Sequence, residues 1–343
     1  MEGEIKNLIK VWLMVLASLL YCRFISTKLS KGKLRLFSLL PIFSLFTILP
    51  LQLSSVMPTG ITAMSITWLC NFKLLLFAFD QGPLIPSNDK DPPLPLLQFI
   101  AIACLPVKIR QNQKHPSHQN HKLPINWPAK VVLFAVLIGM LNAYVTQLHP
   151  KLVLIVYCVV LYFLVDVIFG VCNGLMMLLG MELEPPSDEP YCSTSLQDFW
   201  GRRWNLVVTN TLRRTVYKPV RVFSEYWVGK QWAPLPAVLA SFLVSGLMHE
   251  LIFYHIIRAA PTWEVTWYFV LHGLCLVVEF GVKKLVAGRW RLHWAVSGPL
   301  TVGFVAVTAA WLFFPPMTRT GADVRAIEET KMLFNFVKER LQV

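Results

Sequence analysis

The chain has 343 residues, 55% hydrophobic, 15% charged and 13% aromatic, with mean hydropathy +0.54 and formal net charge +13. A soluble protein of this length carries about 25% charged residues, so disorder, a coiled coil and an ordinary cytosolic enzyme are excluded. The pI of about 9.5 does not point to a nucleic-acid binder, because the basic residues lie between long apolar runs. In such a chain a basic excess reports membrane orientation.

A helix crossing about 30 Å of hydrocarbon needs roughly 20 apolar residues. Eight stretches approach that length, at approximately 5–22, 36–56, 59–79, 131–148, 152–180, 235–257, 264–282 and 294–315. The first lacks a small-residue cleavage site and reads as a retained span rather than a signal peptide. Two long polar loops interrupt the pattern, about 81–130 and 181–234. The first is proline-rich and contains Leu96 to Val107, an apolar run too short to cross and suited to an interfacial or re-entrant piece. With no internal repeat, the chain reads as a single membrane-embedded domain, an all-α polytopic helix bundle. Of the 32 Lys and Arg residues, 22 fall in the loops on one side, which the positive-inside rule assigns to the cytosol. The seven cysteines are scattered, mostly inside apolar runs, with neither a disulfide framework nor a zinc pattern.

Ionisable groups inside a span cost at least ~2.5–3.5 kcal/mol each on insertion scales, so they face the bundle interior or a cavity. Lys73, Asp80, Asp166, His249, Glu250, His272 and Glu279 are such groups. Helical spacing joins Ser241, Ser245 and His249 into one polar seam. Tyr162, Asp166 and Asn173 form a second, and His272, Cys275 and Glu279 a third. Three seams imply an internal polar cavity or tunnel. His249 lies roughly 20 Å from the cytosolic end of its span at 1.5 Å per residue. A neutral imidazole there can take a proton from a hydroxyl and pass it on. A core histidine bonded to a neighbouring helix is the alternative. The zincin pattern H-E-x-x-H fails at Phe253, and neither a G-x-S-x-G elbow nor a glycine-rich phosphate loop occurs. His115, His118 and His121 read as part of a solvated linker.

The loop ahead of the histidine contains Ser195-Leu196-Gln197-Asp198-Phe199-Trp200-Gly201-Arg202-Arg203-Trp204-Asn205. Ser195 with Asp198 fits a helix start. Trp200 and Trp204 would then share a helical face at the membrane interface. Guanidinium forks such as those of Arg202 and Arg203 match phosphate oxygens, although a juxtamembrane basic segment that binds anionic headgroups has the same composition.

These residues, with Asn71-Phe72-Lys73-Leu74, Ala78-Phe79-Asp80-Gln81-Gly82-Pro83-Leu84, Val244-Ser245-Gly246-Leu247-Met248-His249-Glu250-Leu251 and Trp311-Leu312-Phe313-Phe314-Pro315, resemble the plant wax synthase family. That family comprises long-chain-alcohol O-fatty-acyltransferases within the membrane-bound O-acyltransferase superfamily, and the likeness runs along nearly the whole chain. It implies transfer of a fatty acyl group from acyl-CoA to a long-chain fatty alcohol, forming a wax ester in the endoplasmic reticulum membrane. His249 matches the superfamily's catalytic histidine, and Asn205 the asparagine closing its F-W…W-N motif. Three residues separate Trp200 from Trp204 here, against two in sterol and diacylglycerol acyltransferases. Trp200, Arg202, Arg203 and Trp204 fall where substrate would bind. The implied partners are acyl-CoA, the alcohol and the lipid bilayer, with acyl-CoA a substrate and neither a cofactor nor a metal expected. Plant sterol acyltransferases look similar over Gln197 to Asn205, so a sterol acceptor is the competing reading. A transporter or scaffold with Asp166, His249 and Glu279 as a proton relay is a more remote one.

Overall fold

The computed structural model describes residues 2–86, 92–109, 126–145, 147–181, 183–286 and 292–341, so the linker histidines His115, His118 and His121 lie outside the described residues. In chain order the helices are α1 (Glu2–Lys28), α2 (Lys33–Gln52), α3 (Val56–Ala78), α4 (Leu96–Cys104), α5 (Trp127–Tyr144) and α6 (Pro150–Leu178). There follow α7 (Leu196–Asp198), α8 (Leu206–Leu212), α9 (Lys218–Trp232), α10 (Pro234–Ile257), α11 (Glu264–Val286), α12 (Trp294–Arg319) and α13 (Ala322–Leu341). Eight of these, α1, α2, α3, α5, α6, α10, α11 and α12, are long and apolar enough to cross a membrane. They coincide with the eight expected spans, their ends shifted by a few residues. One shift has consequences: α5 begins at Trp127, so Lys130, expected in a loop, is a residue of a span. Among the described residues the fold is all-α, apart from one antiparallel pair of two-residue strands, β1 (Lys108–Ile109) and β2 (Leu183–Glu184). The described residues cluster in two compact units.

The first unit comprises residues 1–105, 210–277 and 312–343. Its central helix is α3, whose apolar window is 72% buried against 28% for α1 and α2. Carboxylates hold its start. Glu329 of α13 accepts from the backbone N–H groups of Val56 (2.7 Å) and Met57 (3.2 Å), and Glu4 of α1 accepts from those of Ser54 and Ser55 (both 2.8 Å). Negative charge at orphaned N–H groups is favourable on both hydrogen-bonding and dipole grounds. From Ala63 to Cys70 the helix widens into π turns, then resumes as α-helix. Lys73, 1% exposed, donates to the carbonyls of Ile102 (2.6 Å) and Leu105 (2.7 Å), closing the C-terminus of the short α4 with a cation. Arg23 of α1 donates to Leu94 O (2.8 Å) at the other end of α4. Helices α10 and α11 approach closely through two glycines. A Cβ on Gly246 would meet the Thr266 backbone at 3.0 Å, and one on Gly273 would meet Phe242 Cβ at 3.0 Å.

The second unit comprises residues 106–209 and 278–311. Its helices α5 and α6 are joined by a short connection and therefore run antiparallel. Between them lies a buried charge cluster. Lys130 Nζ contacts Asp166 Oδ2 (2.7 Å) and Glu189 Oε1 (3.1 Å), and Ser187 Oγ donates to Asp166 Oδ1 (2.5 Å). Ser187 and Glu189 belong to the segment after β2, so the cluster ties that segment to the two spans.

Candidate active site

His249 sits in the middle of α10. Its Nδ1 lies 2.8 Å from the carbonyl oxygen of Ser245, one turn earlier. A carbonyl only accepts, so Nδ1 carries the proton and Nε2 presents its lone pair. The expected seam of Ser241, Ser245 and His249 thus works through a backbone oxygen, while Ser241 Oγ turns back to Ala237 O (2.8 Å). Three rings of the same unit surround the imidazole. Phe269 of α11 stacks on it (4.3 Å between centroids), Trp68 of α3 meets it at 80° (4.8 Å), and Phe313 of α12 at 71° (5.7 Å). Despite these rings His249 is half-buried rather than sealed, so a small group can reach it. A fixed tautomer and an apolar wall suit proton transfer from a hydroxyl at the end of a carbon chain.

Glu250, next in sequence, does a different job. Its carboxylate accepts from the backbone N–H groups of Trp263 (2.9 Å) and Thr266 (3.1 Å) and from Thr266 Oγ1 (3.1 Å), capping the start of α11. That cap and the close approach at Gly246 set α11, and with it Phe269, against α10. His272 is fully buried beside Tyr268 (4.5 Å), and Glu279 accepts from Leu196 N (2.9 Å) at the start of α7.

Asn205 lies in the second unit and closes a tightly bracketed segment. Ser195 Oγ accepts from Asp198 N (3.2 Å), giving the expected helix start. The helix does not continue as expected. Phe199 to Arg203 form a single π turn that ends when Trp204 N donates to Phe199 O (2.8 Å). Trp204 is therefore extended and stacks on Phe199 (5.7 Å, 12°), and does not share a helical face with Trp200, whose ring meets Phe199 at 76°. Arg203 donates to Asp198 Oδ2 (2.8 Å) and to Asp188 O (3.0 Å), and its carbonyl accepts from Asp188 N (2.9 Å). Its fork is committed to the fold, whereas Arg202 points outward and is exposed. Asn205 itself has φ +37°, a left-handed conformation that asparagine tolerates better than most residues. Its Oδ1 accepts from Val208 N (3.2 Å), capping α8 and leaving the amide Nδ2 as a donor.

The sequence singled out the histidine and the asparagine but not the rings around the first or the cap made by the second. Trp68 and Phe269 lie in apolar runs where an aromatic residue carries no signal. The Lys130 cluster was half visible, through Asp166 alone. Among the described residues, no group of three or more His, Cys, Asp or Glu is placed to hold a metal ion.

Residues 183–271, which contain Trp200 to Asn205 and His249, match the Membrane bound O-acyl transferase family. Over nearly their full lengths, curated proteins are similar to this chain. A probable long-chain-alcohol O-fatty-acyltransferase 3 of Arabidopsis thaliana is 45% identical, covering 99% of this chain and 98% of its own length. The long-chain-alcohol O-fatty-acyltransferase of Simmondsia chinensis is 44% identical (99% and 97%). An acyl-CoA–sterol O-acyltransferase 1 of Arabidopsis thaliana is 42% identical (97% and 96%). With the motif-bearing residues placed as described and likeness of this extent, the chain belongs to the long-chain-alcohol O-fatty-acyltransferase, or wax synthase, family of membrane-bound O-acyltransferases.

Proposed function

We propose that the protein transfers a fatty acyl group from acyl-CoA to a long-chain alcohol, forming a wax ester, with His249 as general base. The observation that carries this reading is the lone pair on His249 Nε2, fixed by the Nδ1–H bond to Ser245 O (2.8 Å) on a ring that retains accessible surface deep in an apolar helix. The alcohol O–H donates to Nε2 as its oxygen attacks the thioester carbonyl carbon. The C–S bond of the tetrahedral intermediate then breaks, and the departing sulfur takes the proton from Nε2, releasing ester and free CoA thiol with no acyl-enzyme. General-base assistance of this kind typically contributes ~10²–10⁴-fold. Asn205 supplies Nδ2 as a donor to the acyl carbonyl, and Trp200, Arg202 and Trp204 belong to the acyl-CoA-binding segment. In this reading Arg203 holds that segment in shape. Acyl-CoA is a substrate, and the reaction as written needs no metal or prosthetic group.

Both reactant chains are apolar and partition into the bilayer, whereas the CoA head is anionic and stays in water. This division supports basic loops facing the cytosol, and the likeness to the wax synthases supports an endoplasmic reticulum membrane. A sterol is the competing acceptor, since the sterol acyltransferase is nearly as similar to this chain as the wax-forming relatives. The test is expression in a microbe lacking neutral-lipid synthesis, with labelled acyl-CoA offered to its microsomes alongside hexadecanol or a sterol. Wax ester is expected with wild type, and none with His249→Ala inserted at the same level. Ester formation by His249→Ala would overturn the base assignment, and steryl ester alone would move the acceptor to the sterol class.

A further inference from the structure

Trp68 is fully buried, yet its indole Nε1–H has no hydrogen-bond partner among the described residues. A buried donor without an acceptor is unfavourable, and in native structures such groups call for an explanation. The ring meets His249 at 4.8 Å and 80°, and it sits on the π-helical stretch Ala63–Cys70. Widened turns of that kind are frequent at functional sites. The site therefore holds a fixed acceptor, His249 Nε2, beside an indole whose donor is unsatisfied.

A hydroxyl group has one proton to give and two lone pairs to receive with. We propose that Trp68 is a further catalytic residue whose Nε1–H donates to the oxygen of the acceptor alcohol while that alcohol's own proton points to His249 Nε2. One lone pair is then held by the indole, the proton by the imidazole, and the second lone pair is left for attack on the thioester carbon. The two rings are in edge contact, with centroids 4.8 Å apart, so a hydroxyl held at His249 lies against the indole. The arrangement recognises the hydroxyl itself and not the chain behind it, so it serves a fatty alcohol and a sterol alike. It also disfavours a primary amine, whose one lone pair would be occupied by the indole and unavailable for attack. This inference rests on His249 acting as the base.

The experiment replaces Trp68 with β-(3-benzothienyl)alanine, which keeps the ring shape and substitutes sulfur for N–H, and in parallel makes Trp68→Phe in the full-length protein. Steady-state kinetics with hexadecanol and palmitoyl-CoA are measured in microsomes, and thermal stability in detergent. The expected result is a KM for hexadecanol raised about 3–10-fold, the span of one net neutral hydrogen bond. The KM for palmitoyl-CoA stays unchanged, and the benzothienyl protein melts no lower than wild type, because an unsatisfied donor has been removed. A wild-type alcohol KM in both variants overturns the proposal, as does a fall in kcat with both KM values unchanged, which would move the donor to the acyl oxygen. His249→Ala in the same assay separates the two claims. If it stays active, the general-base reading fails; if it is dead while both Trp68 variants behave as wild type, only the present inference fails.

Discussion

The residues that look most chemical in the sequence differ in what their partners leave uncommitted. His249 and Glu250 are adjacent, yet the first offers an unbound ring nitrogen and the second spends both carboxylate oxygens on the start of α11. Asn205 has its Oδ1 in the cap of α8 and its Nδ2 available for the proposed second task. That division can be separated experimentally. Asn205→Asp keeps an acceptor for Val208 N and removes the NH₂ donor, so the protein should melt close to wild type while ester formation falls about 10²-fold, the usual effect of losing one donor to developing negative charge. Asn205→Ala loses cap and donor together, and should also melt lower, by about 0.5–2 kcal/mol. Equal activity of Asn205→Asp and wild type would leave Asn205 as a helix cap alone. The histidine and asparagine were legible because a polar group in an apolar helix, or at the end of a tryptophan-rich motif, is costly enough to need a reason. Trp68 was not, because a tryptophan in an apolar run is ordinary, and only the missing partner for its N–H distinguishes it.

At the level of the element, the segment from Pro186 to Asn205 explains why periodicity misled. Trp200 and Trp204 are four residues apart and would share a face on an α-helix. A π turn closed by Trp204 N to Phe199 O and a stack of Trp204 on Phe199 replace that geometry. Neither is coded by spacing alone. The two arginines between them therefore have unlike roles. Arg203 brackets the segment through Asp198 and Asp188, and Arg202 faces outward. Arg202→Ala should leave the melting temperature unchanged and raise the KM for acyl-CoA, with a weaker dependence of KM on salt, since an exposed cation acts on phosphate through a screened field. Arg203→Ala strips two partly buried acceptors of their donor and should lower thermal stability first, by about 1–3 kcal/mol. Identical melting and kinetic effects in the two variants would refute the division. By contrast, the cap at Ser195 was readable in advance, because hydroxyl-to-backbone capping depends only on residues three apart.

On the scale of the whole chain, the spans were the most legible feature, because crossing a bilayer requires a length of apolar sequence that few other structures need. The contacts that hold each unit together were the least. Lys130 meets Asp166 and Glu189 across 36 and 59 residues, and nothing in the sequence pairs them. Sidedness lies between these extremes, since it follows from a count of charges and no contact reports it. If all eight long apolar helices cross, both termini fall on one face and the basic loops on the other, the arrangement proposed above. Cys192 offers a direct reading of that arrangement. It is the exposed member of the seven cysteines and lies in the basic loop before α7. Partial burial pushes its thiol above the ordinary value, with Arg203 pulling the other way and Glu189, Asp188 and Asp198 adding to the rise. The thiolate fraction is therefore below that of a free cysteine at neutral pH, and labelling with a membrane-impermeant maleimide should accelerate as the pH is raised. In sealed microsomes, whose outer face is cytosolic, Cys192 should be modified without detergent and Cys192→Ser should abolish that labelling. Modification that appears only after the vesicles are opened would invert the topology, place the segment proposed to bind acyl-CoA in the lumen, and separate it from the compartment in which an anionic, water-soluble thioester is available.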